Sequence, residues 1–284
     1  MPQLAWLDPD SLAFPSPATA AEDPDGLLAV GGDLRPQRLL AAYRLGIFPW
    51  YEEGGPLLWW SPDPRMVLKP ADVHVSRSMR RLIRRGRYQV SMDQAFPEVI
   101  ERCSALRRTG GSSLERENSL EQENSLEPES SRELESSREL EGSPEPESNR
   151  AELDSHDGSG TWITPDMIHA YCTLHQMGYA HSVEVWDNDA LVGGLYGISL
   201  GRMFFGESMF SVKPDTSKLA FITLARQLQQ WHFSLIDCQL PTDHLYSMGA
   251  APIPRHQFLK ALETNADLST RRGLWTLEIQ PADR

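Results

Sequence analysis

A low-complexity acidic tract between Gly111 and Gly158 divides this chain into two parts. The tract consists of six-residue near-repeats, in order LERENS, LEQENS, LEPESS, RELESS, RELEGS and PEPESN. Its few apolar residues cannot bury enough surface to offset the roughly 1–2 kcal/mol per residue that ordering the backbone costs. A period of six also matches neither an α-helical stripe nor a heptad. We therefore expect residues 107–160 to be a disordered insertion, with a partly helical acidic arm as the alternative.

The tract also accounts for most of the net charge of the protein. The 284 residues carry a formal charge of −13, but residues 111–158 contain fifteen carboxylates and four arginines, so that only −2 belongs to the rest. A strongly acidic protein is a poor candidate for binding nucleic acid. Because the remainder is nearly neutral, a local basic surface can still do so.

Composition argues against several classes of protein. No run of about 18 apolar residues occurs, as a membrane span would require, and the first ten residues lack the basic start and apolar core of a signal peptide. Cys103, Cys172 and Cys238 lie far apart with no CxxC pair, which is typical of reduced thiols in a cytoplasm. The histidines show no HxxxH spacing. We expect a cytoplasmic protein without a metal site.

Local patterns predict an α+β fold with a small N-terminal domain (1–106) and a second domain (161–284). In the first domain we expect a helix that begins at Pro36 and ends at Gly46, together with three short strands: Leu27–Val30, Leu57–Trp60 and Met66–Lys69.

In the second domain, Thr164 and Pro165 form an N-cap and first-turn pair for a helix that runs to Gly178. The elements expected after it are strands His181–Trp186, Leu191–Ile198 and Arg202–Phe205, helix Thr216–Trp231, strand Leu235–Gln239 and helix Pro254–Glu263. This order of helix, antiparallel meander, helix and strand resembles the GNAT-like N-acyltransferase fold.

A helix over Ser76–Arg85, closed by Gly86, is the clearest electrostatic feature. Met79 and Ile83 are on its apolar side, and its other faces are covered by five arginines: Arg77, Arg80, Arg81, Arg84 and Arg85. Arginines at this spacing can neutralise the phosphates of a nucleic-acid backbone. The alternative is a solvated helix face, and the acidic tract could fold back on it.

Two groups of polar residues are candidates for catalysis. In strand Leu235–Gln239, alternation puts Asp237 and Gln239 on one face and the apolar Ile236 and Cys238 on the other. A buried carboxylate and carboxamide need hydrogen bonds, so the pair is either structural or functional. Glu207, between Gly206 and Ser208, is poorly explained by packing.

Tryptophans form a further candidate group because they lie next to turns or prolines. Aromatic faces at the mouth of a cleft can stack bases. We expect Trp50, in an exposed aromatic turn at 46–50, and Trp162 to line such a mouth, and Trp59 and Trp60 to pack in the core.

Several motifs together resemble the bacterial leucyl/phenylalanyl-tRNA–protein transferases, over nearly the whole chain except the acidic tract. They are AFPSP (13–17), GLLAVGGDL (26–34), GIFPW (46–50), LWWSPDPR (58–65), TWIT (161–164), HSVEVW (181–186), GESMFS (206–211) and IDCQ (236–239).

This resemblance implies roles for particular residues. Asp237 and Gln239 match a catalytic proton-relay pair, and Glu207 an active-site acid near the acceptor amine. The other matched positions are Trp50 and Trp162 for the terminal adenosine of the tRNA, Leu195, Phe204 and Met209 for the aminoacyl side chain, and Arg77, Arg81, Arg84 and Arg85 for tRNA binding. A more usual Met at the first pocket position is Leu here.

The implied function is the transfer of Leu, Phe and less readily Met from aminoacyl-tRNA to the N-terminal Arg or Lys of proteins, which marks them for degradation. The tRNA ester is already activated and the α-amine has a pKa near 7.7–8.0, so we expect no cofactor and no metal. The partners are then Leu-tRNA, Phe-tRNA and the acceptor protein, with no membrane, and the enzyme is expected to be a monomer.

Two other functions compete with this one. A small-molecule N-acetyltransferase would hold coenzyme A with a Gln/Arg-x-x-Gly-x-Gly/Ala loop, which the sequence does not contain. A non-catalytic RNA-binding protein would use the arginine helix but would leave Asp237, Gln239 and Glu207 unexplained.

Overall fold

The computed structural model describes residues 4–108 and 163–279. Of the expected disordered insertion, residues 109–160 lie outside these ranges, as does Trp162. The first two residues of the predicted insertion, 107 and 108, belong to a helix, so the predicted boundary was too early. The described part combines helices with two mixed sheets, in agreement with the predicted α+β class.

Eleven strands are present in the described residues: β1 (Ala5–Leu7), β2 (Leu27–Gly31), β3 (Phe48–Pro49), β4 (Leu58–Trp60), β5 (Arg65–Leu68), β6 (Gln89–Met92), β7 (Ala180–Asp187), β8 (Ala190–Leu200), β9 (Met203–Ser211), β10 (Leu235–Gln239) and β11 (Ala251–Ile253). The α-helices of the same residues are α1 (Pro36–Arg44), α2 (Arg77–Arg85), α3 (Phe96–Arg108), α4 (Pro165–Gln176), α5 (Thr216–Gln230), α6 (Asp243–Ser247) and α7 (Arg255–Asn265). None of these helices is both long and apolar enough to cross a bilayer.

The larger sheet has seven strands in the order β11-β5-β10-β9-β8-β7-β6, and the smaller has four in the order β1-β2-β4-β3. Within the larger sheet, β9 and β10 run parallel and the other neighbours are antiparallel. In this sheet, β5 and β6 precede the acidic tract in the sequence, whereas the other five strands follow it. The two predicted domains therefore share one sheet. The division into 1–106 and 161–284 stays a prediction.

Helices cover both faces of the larger sheet. Successive side chains of a strand point to opposite faces, and Phe204 and Phe205 of β9 accordingly belong to different hydrophobic clusters. Phe205 packs on the side of α3 and α4, whereas Phe204 packs on the side of α5. This double coverage explains why β8 is buried over almost its full length.

Most predicted elements are present within a few residues, and their end signals act as expected. Thr164 Oγ1 accepts a hydrogen bond from the Met167 N–H at 3.3 Å at the start of α4, and Ser76 caps α2 in the same way. The prediction of an exposed aromatic turn at 46–50 was wrong, because Ile47 and Phe48 are buried and Phe48 lies in β3. Apolar periodicity could not distinguish a turn from a two-residue strand.

Candidate active site at the ends of β9 and β10

The candidate site forms where the parallel strands β9 and β10 stop pairing. Their ladder ends at the pair Asp237 and Phe205. Each strand then bulges against its other neighbour, with Glu207 as the extra residue of β9 and Cys238 as that of β10. Bulges re-aim the side chains that follow or occupy them. Here they bring Gln239 and Glu207 together, with 2.8 Å between Gln239 Nε2 and Glu207 Oε1.

The expectation that Asp237 and Gln239 share one strand face is wrong. Gln239 adopts a left-handed backbone conformation (φ 62°) just after the bulge, which interrupts the alternation. Its side chain lines the cavity together with those of Ile236 and Cys238. Asp237 instead pairs with the buried Arg65, and contacts Gln239 only by accepting its backbone N–H at 3.0 Å.

Glu207 forms a hydrogen-bonded triangle with two tyrosines, Tyr43 of α1 and Tyr171 of α4. The Tyr43 hydroxyl lies 2.7 Å from Glu207 Oε1, the Tyr171 hydroxyl 2.9 Å from Oε2, and the two hydroxyls 2.5 Å from each other. Three close O···O contacts require three protons, and the hydroxyls supply two. A neutral Glu207 carboxyl can supply the third, in which case one of the two tyrosine hydroxyls accepts a hydrogen bond from it.

The electrostatic surroundings favour the same neutral form. Burial raises the pKa of Glu207 to about 8 from its ordinary value of 4.5, against the opposing effect of the tyrosine hydrogen bonds. The charge of Asp237 raises this pKa further, and Arg65 lowers it. Burial and the nearby Glu207 also raise the pKa values of Tyr43 and Tyr171 well above 10. The neutral form of the triangle is thus favoured at pH 7.

A cavity of about 410 Å³ opens beside Glu207 and Gln239. Its wall is mainly apolar and includes Leu195, Phe204, Met209, Phe221, Leu224 and Ile236. All three positions predicted for an aminoacyl side chain are therefore brought together. The Cys238 thiol is part of the same wall, and burial raises its pKa, so that it stays protonated.

Trp50 lies at the rim of the cavity, as predicted from its place in the sequence. Its side chain is 41% exposed and lines the opening. The neighbouring ring of Trp60 is 5.7 Å away, and Trp60 Nε1 donates to the Trp50 carbonyl oxygen. Trp59 is fully buried, as expected.

The arginine helix α2 is separate from the cavity wall. Met79 and Ile83 bury its apolar side in the cluster that includes α5, and its five arginines are exposed. None of these arginines forms an ion pair with a carboxylate of residues 4–108 or 163–279. Helix α2 packs against α5, and α5 supplies Phe221 and Leu224 to the cavity wall. The basic helix is thus one helix away from the site.

Family models identify the chain. The model of the leucyl/phenylalanyl-tRNA protein transferase matches residues 67–115 and 148–263, and that of the family's N-terminal domain matches residues 32–63. The chain belongs to the leucyl/phenylalanyl-tRNA–protein transferase family. The match skips residues 116–147, which lie within the acidic tract.

Individual relatives agree with this family over nearly their whole length. Proteins named leucyl/phenylalanyl-tRNA–protein transferase are 49% identical in Stutzerimonas stutzeri (93% of this chain, 96% of the relative) and 46% identical in Hahella chejuensis (99% of each). A third, from an Anaeromyxobacter species, is 46% identical over 95% of this chain and 94% of its own. The predicted family, and with it the enzyme class of tRNA-dependent aminoacyltransferase, are confirmed.

Sequence reasoning missed three members of the transferase site. From the sequence, no role in the site was assigned to Tyr43, Tyr171 or Arg65. The one available signal was Arg65, a charged residue at the start of a strand that is otherwise apolar. Within the described residues there is no cluster of three or more His, Cys, Asp or Glu side chains that could hold a metal.

Proposed function

We propose that this chain transfers a leucyl or phenylalanyl group, and less readily a methionyl group, from its tRNA to the N-terminal Arg or Lys of an acceptor protein, which marks that protein for degradation. The observation that carries the proposal is an apolar cavity with Glu207 and Gln239 in its wall, in a member of this transferase family.

The apolar part of the cavity suits the side chain of the donor amino acid. Leu195 and Phe204 are buried and Met209 is half-buried, so a polar side chain would lose its hydrogen bonds to water there. Apolar side chains that differ by a methylene are separated by only about 1–3 kcal/mol, which is why we include methionine. We assign stacking on the terminal adenosine to Trp50 and Trp162 by resemblance, and the exposed position of Trp50 beside the cavity supports this role.

Gln239 is the group that we assign to the acceptor α-amine. Because its amide nitrogen donates to Glu207, its carbonyl oxygen is left to accept a hydrogen bond from the amine. Attack by the neutral amine forms the new C–N bond and breaks the ester bond to the ribose oxygen, and the proton that the amine loses is the one that this oxygen gains. Holding amine and ester together can contribute on the order of 7–11 kcal/mol.

Asp237 was predicted to polarise Gln239 as part of a proton relay. Its contact with the backbone N–H of Gln239 supports a role in positioning as well. The relay role stays a prediction.

The remaining assignments concern the whole molecule. We assign tRNA phosphate binding to Arg77, Arg81, Arg84 and Arg85, because they are exposed on one helix. The order α4, the β7–β8–β9 meander, α5 and β10 supports a GNAT-like fold for the catalytic part, whose sheet also contains β5 and β6. The division into an N-terminal domain over 1–106 and a catalytic domain over 161–284 stays a prediction. We further propose that the enzyme is a cytoplasmic monomer that needs no cofactor.

One experiment tests the activity directly. The protein is mixed with Leu-charged tRNA and a peptide that starts with Arg, and mass spectrometry follows the addition of one leucine. A matched peptide that starts with Glu serves as the control. No leucine on the Arg peptide, or equal addition to both peptides, would contradict the proposal.

A further inference from the structure

Arg65 of β5 is a buried arginine whose guanidinium lies beside the candidate active site. Its side chain is 1% exposed, and it forms a two-pronged ion pair with the fully buried Asp237: Nε to Oδ1 at 2.8 Å and Nη2 to Oδ2 at 2.7 Å. The rings of Phe48 and Phe258 hold the guanidinium from two sides, at 4.8 and 4.7 Å. Arg65 therefore has a single, well-defined orientation.

Stability is a weak reason for such a pair. Removing two charges from water costs several kcal/mol per ion, and a well-packed apolar pair in the same place is often as stable or more so. A buried pair of this kind is better explained by the geometry that it imposes on its neighbours.

The neighbour in question is Gln239. Asp237 Oδ1, which accepts the Arg65 Nε–H, also accepts the Gln239 backbone N–H at 3.0 Å. That bond spans the β10 bulge and holds Gln239 in its left-handed conformation, which for a residue other than glycine costs on the order of 1–3 kcal/mol. The same conformation directs the Gln239 carboxamide to Glu207. A continuous series of contacts thus runs from Arg65 to the cavity.

We propose that Arg65 is a positioning residue for aminoacyl transfer: by clamping Asp237, it fixes the backbone of Gln239 and so the position of the carboxamide that receives the acceptor amine. This inference rests on the proposed function. Arg65 does not line the cavity and acts through Asp237 and Gln239.

The test is Arg65→Lys, which keeps the charge but cannot form the two-pronged pair. We expect the single-turnover transfer of leucine to an Arg peptide to slow by about 10–100-fold, since a misplacement of about 1 Å can cost on this order. The affinity for Leu-tRNA should stay within about twofold of the wild-type value, because the contacts of Arg65 lie away from α2. Normal transfer by the folded variant would overturn the proposal.

Arg38→Lys is the matched control. Arg38 is as buried as Arg65 and pairs with an aspartate, Asp33, at 3.3 Å. Its other partners are the carbonyl oxygens of Asp8 and Pro9, so its contacts do not lead to the cavity wall. Both variants should lose stability, and only Arg65→Lys should lose transfer per folded molecule. Equal losses of transfer in the two variants would show a general effect of the substitution.

A double-mutant comparison separates positioning from a merely structural role. Gln239→Ala is expected to slow transfer by itself, and Arg65→Lys added to it should cause no further loss of rate. If the double variant instead lost the product of the two single-variant rate factors, Arg65 would not act through Gln239. If Arg65→Lys does not fold, Asp237→Glu, which retains the charge but displaces the acceptor of the Gln239 N–H, is compared in the same way. Absence of transfer in the wild-type protein would refute the proposed function itself.

Discussion

The protonated state of Glu207 makes a quantitative prediction about stability and pH. In the unfolded chain Glu207 ionises near its ordinary pKa of 4.5, whereas in the folded protein its pKa is about 8. Between these pH values the folded protein binds one more proton than the unfolded chain, so the free energy of unfolding falls as pH rises. The slope from this residue reaches about 1.4 kcal/mol per pH unit, and the whole effect is on the order of 5 kcal/mol.

Glu207→Gln removes this titration while keeping a side chain of the same shape that can bond Tyr43, Tyr171 and Gln239. The stability of the variant minus that of the wild type should therefore rise steadily from pH 5 to pH 8. Urea unfolding of both proteins at four pH values across this range measures the difference, and other titrating groups cancel in the subtraction.

Glu98→Gln serves as the control, because it removes a carboxylate from an exposed position on α3. Its stability difference from the wild type should vary little with pH. A constant difference for Glu207→Gln as well would mean that Glu207 is ionised in the folded protein, and the proton count in the Tyr43–Glu207–Tyr171 triangle would be refuted.

Three further predictions concern catalysis, tRNA and the acidic tract. Asp237→Asn should slow single-turnover transfer by roughly 10²–10⁴ if the relay operates, with tRNA affinity unchanged; normal transfer by the folded variant would end the relay interpretation. The next variant replaces four arginines of α2 by alanine: Arg77, Arg81, Arg84 and Arg85. The slope of log tRNA affinity against log salt concentration should become shallower by up to about one per residue, and an unchanged slope would mean that the tRNA binds elsewhere. Deleting residues 116–147, which the family model skips, should preserve cooperative thermal unfolding and transfer, and loss of either would make the tract part of the folded enzyme.

Much of the architecture was predictable because its signals are local. The cap Ser76 and the left-handed Gly86 lie one helix length apart and mark the two ends of α2. The meander β7–β8–β9 followed from alternation and turn residues, and strand β10 was predicted with its observed ends. The resemblance to the family also assigned to the site six residues that line the cavity: Trp50, Leu195, Phe204, Glu207, Met209 and Gln239.

Only the tertiary structure determined the chemistry of the site. Tyr43 and Glu207 are 164 residues apart, and Arg65 and Asp237 are 172 residues apart. Helical and strand periodicities relate residues within about ten positions of each other, so neither pair leaves a pattern in the sequence.

The same reason explains the error about Gln239. Strict alternation holds for an undisturbed strand, but the bulge before Gln239 is maintained by Arg65, which acts through Asp237 from a strand on the other side of the acidic tract. The sequence by itself predicted most of the longer elements, although not α3, and the family to which the chain belongs. The pairing of distant strands determined where the Gln239 side chain points. It also buried Glu207, and burial raises the pKa of that carboxyl.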